Sequence, residues 1–251
     1  MQLQLSTWQE VESYLTRSRG VVIPVGSTEQ HGPNGFVGTD ALCPEVLARG
    51  LGEATGALVA PTLSIGMAQH HLGFPGSIAF RPSTLMAVVQ DVVNSLARQG
   101  FDSFFFLNGH GGNIASLQAA FSEIYAETSL GTAGSNRPAL RCHLRNWWEG
   151  PQVKALSAEL FAESEGSHAT CSEVSLTYYA YPDHVKSAAM TPEIAPSGPI
   201  YDADDFRRRY PDGRMGSNPT LASVEAGERL YKGALEDIVT DYQAFLVGSG
   251  D

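Results

Sequence analysis

Residues that could bind a metal ion or transfer a proton are concentrated in three short segments of the sequence. The first, residues 26–40, contains Glu29 and His31, which are two residues apart and would project to the same side of an extended chain. The segment ends at Asp40, where a helix pattern begins. The spacing is compatible with metal ligands, and equally with an N-cap at Asp40 and two polar loop residues.

The second segment, residues 107–113, reads Leu-Asn-Gly-His-Gly-Gly-Asn and lies at a turn from a strand pattern to a helix pattern. A phosphate-binding loop is disfavoured, because the order is neither GxGxxG nor GxxxxGK[ST] and the segment contains no lysine. Glycines on both sides of His110 favour a metal ligand that needs close approach. The alternative is a turn in which the glycines satisfy backbone geometry and His110 has no special role.

The third segment, residues 165–173, contains His168 and Glu173. Thr170 and Glu173 form the S/T-x-x-E pattern of a capping box, which needs no active site. Five residues correspond to about 500° around a helix, so His168 and Glu173 could converge only if His168 lies before the helix. Cys171 could suggest a Cys–His nucleophile, but no third orienting group is evident, and cysteine is more often a small buried residue.

Together the segments supply a donor set that suits two metal ions rather than one. Two divalent ions bring four positive charges against three carboxylates, so a bridging hydroxide would make the site neutral, as in two-metal hydrolases. Mixed nitrogen and oxygen ligands suit zinc, manganese or iron better than calcium. The candidate ligands are Glu29, His31, Asp40, His110 and Glu173.

The elements that would position these segments alternate between strand and helix. Short runs that are apolar on both faces, separated by helix patterns, are typical of a parallel sheet in a layered α/β fold. Ligands bind beyond the carboxyl ends of the strands in such sheets. We predict strands over 21–25, 57–60, 103–107 and 139–144, helices over 6–17, 40–53, 82–99, 113–128 and 221–246, and long surface excursions over 182–220.

The composition disfavours several classes of partner. With 251 residues and 43% hydrophobic content, the chain can bury a full core without disulfides or a structural metal. A net charge of −11 disfavours binding to nucleic acid or to anionic membranes. The N-terminus has no signal-peptide pattern, and the three cysteines lack CxxC spacing. These features predict a reduced, cytoplasmic protein.

At these same residues the sequence resembles the creatininase family of metal-dependent amidohydrolases. Residues 21–40 resemble its first motif, in which Glu, His two residues later and Asp eleven residues later bind metal, and 108–113 match its second motif. Residues 71–76, His-Leu-Gly-Phe-Pro-Gly, and the looser segment 168–175 are similar to further family stretches. The resemblance implies a single three-layer α/β/α domain over 1–251 with a mostly parallel central sheet, a two-metal site and often a homo-hexamer.

The resemblance also implies a role for each site residue. Asp40 would bridge the two ions, Glu29 and His110 would hold one of them, and His31 and Glu173 would hold the other. His168 would be the catalytic acid/base. Five residues would line the substrate site, although the two tryptophans fit the core equally well: His71, Gly111, Gly112, Trp147 and Trp148.

Three departures from the family pattern point away from creatinine as the substrate. Gly112 stands where creatininases carry Glu, Ser164 where they carry Trp, and Asn34 where the first motif usually has a second His. Relatives with this Gly-Gly pattern act on other amides, including formamides and cyclic amides. We therefore expect hydrolysis of a non-peptide or cyclic amide by a bridging hydroxide on a small-molecule substrate. The alternatives are a lactone or C–C hydrolase at the same site, and a small-molecule binder without catalysis.

Overall fold

The computed structural model describes residues 1–131 and 139–248. Its sheet has four parallel strands in the order β2-β1-β3-β4. In each of the two strand pairs that β3 forms, six residues are in register. The four predicted strands are confirmed, although β2 spans only two of the four residues expected and the fourth strand begins two residues later than expected. Their bounds are β1 Gly20–Val25, β2 Leu58–Val59, β3 Ser103–Asn108 and β4 Arg141–Asn146.

Both faces of the sheet are buried, which explains why its central strands are continuous apolar runs. In β3, Phe104 and Phe106 pack into the core on one face of the sheet, and Phe105 packs into the core on the other. In β1, Val21 packs into the first of these cores and Val22 into the second. Since successive side chains of a strand point to opposite faces, each strand supplies both cores at once.

Helices cover the two faces and make three layers, so the predicted three-layer α/β/α architecture is confirmed. Apolar residues of α1, α3 and α4 form the core on one face. Those of α2, α5, α6 and α8 form the core on the other. The helices are α1 Trp8–Leu15, α2 Thr39–Thr55, α3 Pro82–Ala97, α4 Ile114–Ser129, α5 Pro151–Phe161, α6 Cys171–Ala180, α7 Ala203–Arg209 and α8 Val224–Val247.

The differences from the predicted helices have local causes. Helix α1 begins later than expected because Thr7 caps it through a capping box with Glu10. The region 182–220 is more than surface excursion, because it contains α7, whose Phe206 is fully buried. Within the described ranges, no helix combines the length and the apolar character needed to cross a bilayer.

Two glycines let the start of α2 approach the carboxyl ends of β1 and β3. A Cβ atom at Gly26 would lie 2.2 Å from the carbonyl oxygen of Asp40, and one at Gly109 would lie 2.0 Å from it. Any larger residue would therefore push α2 away from the sheet. This close packing places Asp40 directly beside the residues that follow the two central strands.

Candidate functional site

All of the predicted ligands converge at the carboxyl edge of the sheet. Glu29 and His31 follow β1, Asp40 lies in the first turn of α2, and His110 follows β3. Glu173 comes from the first turn of α6. Each of these side chains is buried or nearly so, and the least buried, that of Glu173, is 13% exposed.

Asp40 lies between two histidines and presents one carboxylate oxygen to each. Its Oδ1 is 3.0 Å from Nε2 of His31, and its Oδ2 is 2.8 Å from Nδ1 of His110. A carboxylate with its two oxygens turned to two separate groups of donors has the geometry of a bridging ligand.

Two further carboxylates complete the two groups. Oε1 of Glu29 is 3.3 Å from Nδ1 of His110, while Oε2 accepts a hydrogen bond from the Ser27 hydroxyl. Oε1 of Glu173 is 3.8 Å from Nε2 of His31. Each group therefore contains one imidazole nitrogen, one oxygen of Asp40 and one oxygen of a glutamate.

Glu173 serves the helix cap as well as this group. Its Oε1 accepts a hydrogen bond from the backbone N–H of Thr170 at 2.5 Å, and its own N–H donates to the Thr170 hydroxyl. The capping box and the place beside His31 are thus not alternatives. The cap fixes the carboxylate at the position from which it faces His31.

The two imidazoles are oriented by backbone carbonyls. Nδ1 of His31 lies 3.0 Å from the carbonyl oxygen of Glu29, and Nε2 of His110 lies 3.0 Å from that of Met67. With those nitrogens as donors, the other nitrogen of each ring presents its lone pair to the carboxylates. This arrangement is typical of metal-binding histidines.

The donor set fits divalent transition metals. Oε1 of Glu29 and Oδ2 of Asp40 are fully enclosed but accept no well-aligned hydrogen bond from the described residues. Buried charged oxygens without donors are costly unless a cation compensates them. Metal–ligand bonds of about 2.0–2.2 Å place neighbouring ligand atoms roughly 3–3.5 Å apart, close to most of the separations above.

The electrostatics indicate that protons occupy this site when no metal does. Burial lowers the pKa of His31, but Asp40 and Glu173 outweigh burial and raise that pKa to about 10. Burial is likewise outweighed at His110, where Glu29 and Asp40 raise the pKa to about 9. Burial raises the pKa of Glu29 and that of Glu173 to about 7 each.

His168 lies in the loop before α6, so the condition for its convergence with Glu173 is met. Its Nε2 lies 2.9 Å from the backbone carbonyl oxygen of Gln30 and also 2.9 Å from the side-chain amide nitrogen of Gln30. Its Nδ1 lies 3.7 Å from Oε1 of Glu29. Burial lowers the pKa of His168 well below its usual value, which keeps the ring neutral. The next residue, Ala169, has a φ of 52°, a left-handed conformation that turns the chain between His168 and the helix.

A cavity of about 1020 Å³ opens above the ligands and is lined by all five predicted substrate-site residues. Trp147 is buried and belongs to the core beneath α2 and α8, whereas Trp148 is only partly buried. Gly111 has open space around its Cα, but a Cβ at Gly112 would lie 2.3 Å from Nε2 of His110. The local structure therefore leaves no room for the glutamate that creatininases carry at this position.

His71 contacts the ligands rather than presenting a free polar atom to the cavity. Its Nε2 lies 3.1 Å from Oε1 of Glu29, and its Nδ1 lies 2.9 Å from the side-chain amide nitrogen of Gln30. The same amide nitrogen donates to the carbonyl oxygen of Gly213. Gln30 was not among the predicted residues, yet it connects His71 to the segment before α8.

A second group missed by the sequence analysis braces the turn that carries His110. Asn108 donates to the backbone carbonyl of His110 and to the side chain of Asn146, and its side-chain oxygen accepts from the His110 N–H. Asn113 donates to the Gly26 carbonyl and accepts from the N–H of Met67. Asn108 and Asn113 belong to the segment 107–113, but several of their hydrogen-bond partners are far away in sequence.

Cys171 is unsuited to act as a nucleophile. The residue is fully buried, and its thiol points to the carbonyl oxygens of Ser164 and Asn218, each at 3.1 Å. Burial raises the pKa of this thiol to about 12. The interpretation of Cys171 as a small buried residue fits this environment.

The family model for creatinine amidohydrolase matches residues 4–241 of the chain. A mycofactocin precursor peptide peptidase of Mycolicibacterium smegmatis is 37% identical over 221 residues, covering 84% of this chain and 79% of that protein. Creatinine amidohydrolase of Pseudomonas putida is 29% identical over 245 residues and covers 92% of both chains. A solved manganese creatininase aligns with a TM-score of 0.84 and 25% identity over 98% of each chain. The similarity thus extends well beyond the three segments.

Proposed function

The chain belongs to the creatininase family of hydrolases, and from this premise we propose that it is a metal-dependent amidohydrolase that breaks a C–N bond of a small-molecule amide. The observation that carries the proposal is the position of Asp40, whose two oxygens face two separate histidines at the floor of the cavity. A non-catalytic binding protein would have no need for two adjacent donor groups that share one carboxylate.

Each donor group would hold one divalent ion, with zinc, manganese or iron suited to the mixed ligands. Glu29 and His110 would hold the first ion, and His31 and Glu173 the second. Asp40 would be shared between them. When bound, the two ions would polarise the amide carbonyl and lower the pKa of a water molecule.

The protein's own proton carrier in this mechanism is Nδ1 of His168. In the tautomer whose Nε2–H donates to the Gln30 carbonyl, Nδ1 of the neutral ring has a free lone pair beside Glu29. As water adds to the carbonyl carbon, Nδ1 accepts the proton that the water loses. It then delivers that proton to the leaving nitrogen as the C–N bond breaks, which yields a carboxylic acid and an amine.

The cavity supports a substrate larger than creatinine. Its volume of about 1020 Å³ lies at the upper end of the roughly 300–1,000 Å³ of typical ligand pockets. Gly112 and Ser164 stand where the creatininase pattern has Glu and Trp. The close contacts around Gly112 leave no room for a larger side chain at that position. We therefore infer an amide with an apolar group that occupies the cavity outside the ligand cluster.

The proposal is tested by turnover on a panel of amides with zinc-loaded or manganese-loaded protein. The panel contains a formanilide, a five-membered lactam, creatinine, short peptide amides and two lactones. We expect hydrolysis of at least one amide, seen as a released amine for an open-chain amide and as the ring-opened product for a cyclic one, and His168→Ala should lower that turnover by about 10²–10⁴-fold while metal is retained. The exposed His184 provides a control, since His184→Ala should change neither turnover nor metal content.

The remaining outcomes decide between the alternatives. Hydrolysis of the lactones without hydrolysis of any amide would replace the amidohydrolase with a lactone hydrolase. Metal-loaded protein that hydrolyses no member of the panel but binds some would favour a binding protein. Loss of metal in His168→Ala would make His168 a ligand rather than the proton carrier.

We also propose that the chain forms a homo-hexamer in the cytoplasm, on the strength of the family resemblance. Light scattering on the purified protein tests the assembly. A mass near that of one chain at working concentration would refute it.

A further inference from the structure

His70 lies in the wall of the cavity, but the mechanism above gives it no role. Its side chain is 6% exposed, and its ring centre lies 4.2 Å from that of His71 and 6.5 Å from that of His110. Phe206 of α7 covers the ring from another side, with centres 5.6 Å apart. His70 is thus held in place by packing, and its ring lies next to that of the candidate ligand His110.

The two adjacent histidines differ in how their ring nitrogens are used. Both nitrogens of His71 lie close to polar atoms: Nε2 is 3.1 Å from Oε1 of Glu29, and Nδ1 is 2.9 Å from the side-chain amide nitrogen of Gln30. Nδ1 of His70 is fully enclosed and has no hydrogen-bond partner among the described residues. Nε2 of His70 makes no hydrogen bond within the described chain either, but it is not among the enclosed atoms. Since His70 lines the cavity, Nε2 is the ring nitrogen that is free to meet a ligand there.

The enclosed nitrogen decides which tautomer the ring adopts. An enclosed N–H without an acceptor is rarer in proteins than an unsatisfied acceptor, so Nδ1 is the nitrogen without the proton. Nε2 then carries the proton and presents an N–H to the cavity. Burial lowers the pKa of His70, so the ring stays neutral and keeps this single donor.

We propose that His70 is a substrate-binding residue whose Nε2–H donates a hydrogen bond to the carbonyl oxygen of the scissile amide. The acceptor follows from chemistry, because the lone pair of an amide nitrogen is delocalised and the carbonyl oxygen is the acceptor that every amide offers. The inference rests on the proposed function. A fixed neutral donor beside the ligand cluster would stabilise negative charge as it develops on that oxygen.

The test compares two substitutions that separate the ring of His70 from its hydrogen-bond donor. His70→Phe retains the ring that packs on Phe206 but removes the donor, whereas His70→Gln places an amide N–H near the position of Nε2. We expect His70→Phe to lower kcat by about 10²-fold on the best amide of the panel. His70→Gln should retain most of the turnover, and both variants should keep the metal content and the melting temperature of the wild type.

A second readout does not depend on turnover. Ethyleneurea is a cyclic urea whose carbonyl resists hydrolysis, and calorimetry gives its dissociation constant on zinc-loaded protein. We expect His70→Phe to weaken this binding about fivefold and His70→Gln to preserve it.

The outcomes separate this inference from the proposed function. Wild-type protein that neither binds ethyleneurea nor hydrolyses any amide would overturn the proposed function. If the wild type binds ethyleneurea and hydrolyses an amide, and His70→Phe leaves both the kinetics and the binding unchanged, only the role of His70 is overturned. Loss of metal in His70→Phe would also overturn it, because His70 would then act on the ligand cluster.

Discussion

The deep end and the outer wall of the cavity are built in opposite ways. The deep end, formed by Asp40, His110, His168 and Glu173, is buried, and hydrogen bonds or short contacts orient its side chains. The outer wall is formed by Trp148, Lys154, Ile200 and Tyr201. There, Tyr201 is 62% exposed and Ile200 46% exposed, and Lys154 is exposed as well.

This difference indicates that the deep end of the cavity determines the chemistry and that the outer wall determines substrate selectivity. The deep end is attached to the two central strands and to the first turns of α2 and α6, so its geometry tolerates little change. The outer wall comes from the turn before α5, from α5 and from the segment before α7. The exposed side chains of Lys154, Ile200 and Tyr201 can change there without disturbing the core. We expect substitutions at the deep end to remove metal or turnover, and substitutions in the wall to alter substrate preference.

The largest effect is expected on metal binding, when one of two adjacent glycines at the deep end is replaced by alanine. A Cβ at Gly112 would lie 2.3 Å from Nε2 of His110 and 2.5 Å from the Met67 carbonyl, so it would disrupt the bond that orients His110. Gly112→Ala should weaken metal binding by about 10–100-fold, as the loss of an orienting partner does. Gly111→Ala is the matched control, because no atom lies within 4 Å of its Cβ position. Equal metal affinity in the two variants would contradict this account.

A smaller effect is expected where the deep end and a helix cap share one residue. Glu173→Gln keeps an oxygen for the Thr170 N–H but removes the charge, so it should lower occupancy of one ion and leave the melting temperature of metal-free protein nearly unchanged. Thr170→Ala should do the opposite, with a loss of about 0.5–2 kcal/mol in stability and unchanged metal content. Full occupancy and wild-type turnover in Glu173→Gln would leave the capping box as the only role of this residue.

The pH dependence follows from the raised pKa values at the deep end. In metal-free protein, the pKa values of His31 and His110 rise to about 10 and about 9, and those of Glu29 and Glu173 to about 7. At these four groups the folded state binds more protons than the unfolded state, whereas burial lowers the pKa values of His70, His71 and His168. Above a pH of about 6.5 those three histidines are mostly neutral in both states, so metal-free stability should fall as the pH rises from about 7 to about 8.

Metal binding must displace these protons, so the gain in melting temperature on adding zinc should grow over the same range of pH. Thermal unfolding with and without zinc measures both trends. A gain that shrinks as the pH rises would contradict the assignment of the two histidines as ligands.

The smallest effect on the fold is expected in the outer wall. Tyr201→Ala removes an exposed ring, so stability should change by no more than about 0.5 kcal/mol and metal content should not change. Its effect should appear in KM, and unequally across the amide panel. A uniform fall in kcat for every substrate would place Tyr201 in the chemistry instead.

How far the sequence predicts the molecule depends on the distance over which its parts interact. The strands could be predicted because a parallel strand is buried on both faces and reads as an apolar run, as in residues 103–107. The candidate ligands could be identified because each lies in a compact segment with characteristic spacing, and their assignment as ligands stays a prediction. Helix geometry also gave the condition for His168 and Glu173 to converge, namely that His168 lies before α6, and the structure meets it.

Residues whose roles depend on distant partners were not predictable in this way. Gln30 reaches His71 and Gly213, and Asn108 reaches Asn146, through contacts that no local pattern reveals. Phe206 lies in a segment that reads as exposed, yet it packs against the histidines of the cavity. The single domain over 1–251 stays a prediction.

The most direct test of the central claim is the metal content of Asp40→Ala beside that of the wild type. Elemental analysis after reconstitution with zinc should give about two ions per chain for the wild type and almost none for Asp40→Ala, because one bridging carboxylate serves both ions. Asp91→Ala, which removes an exposed carboxylate of α3, should retain the wild-type content. Two ions still bound in Asp40→Ala would contradict the shared-carboxylate site.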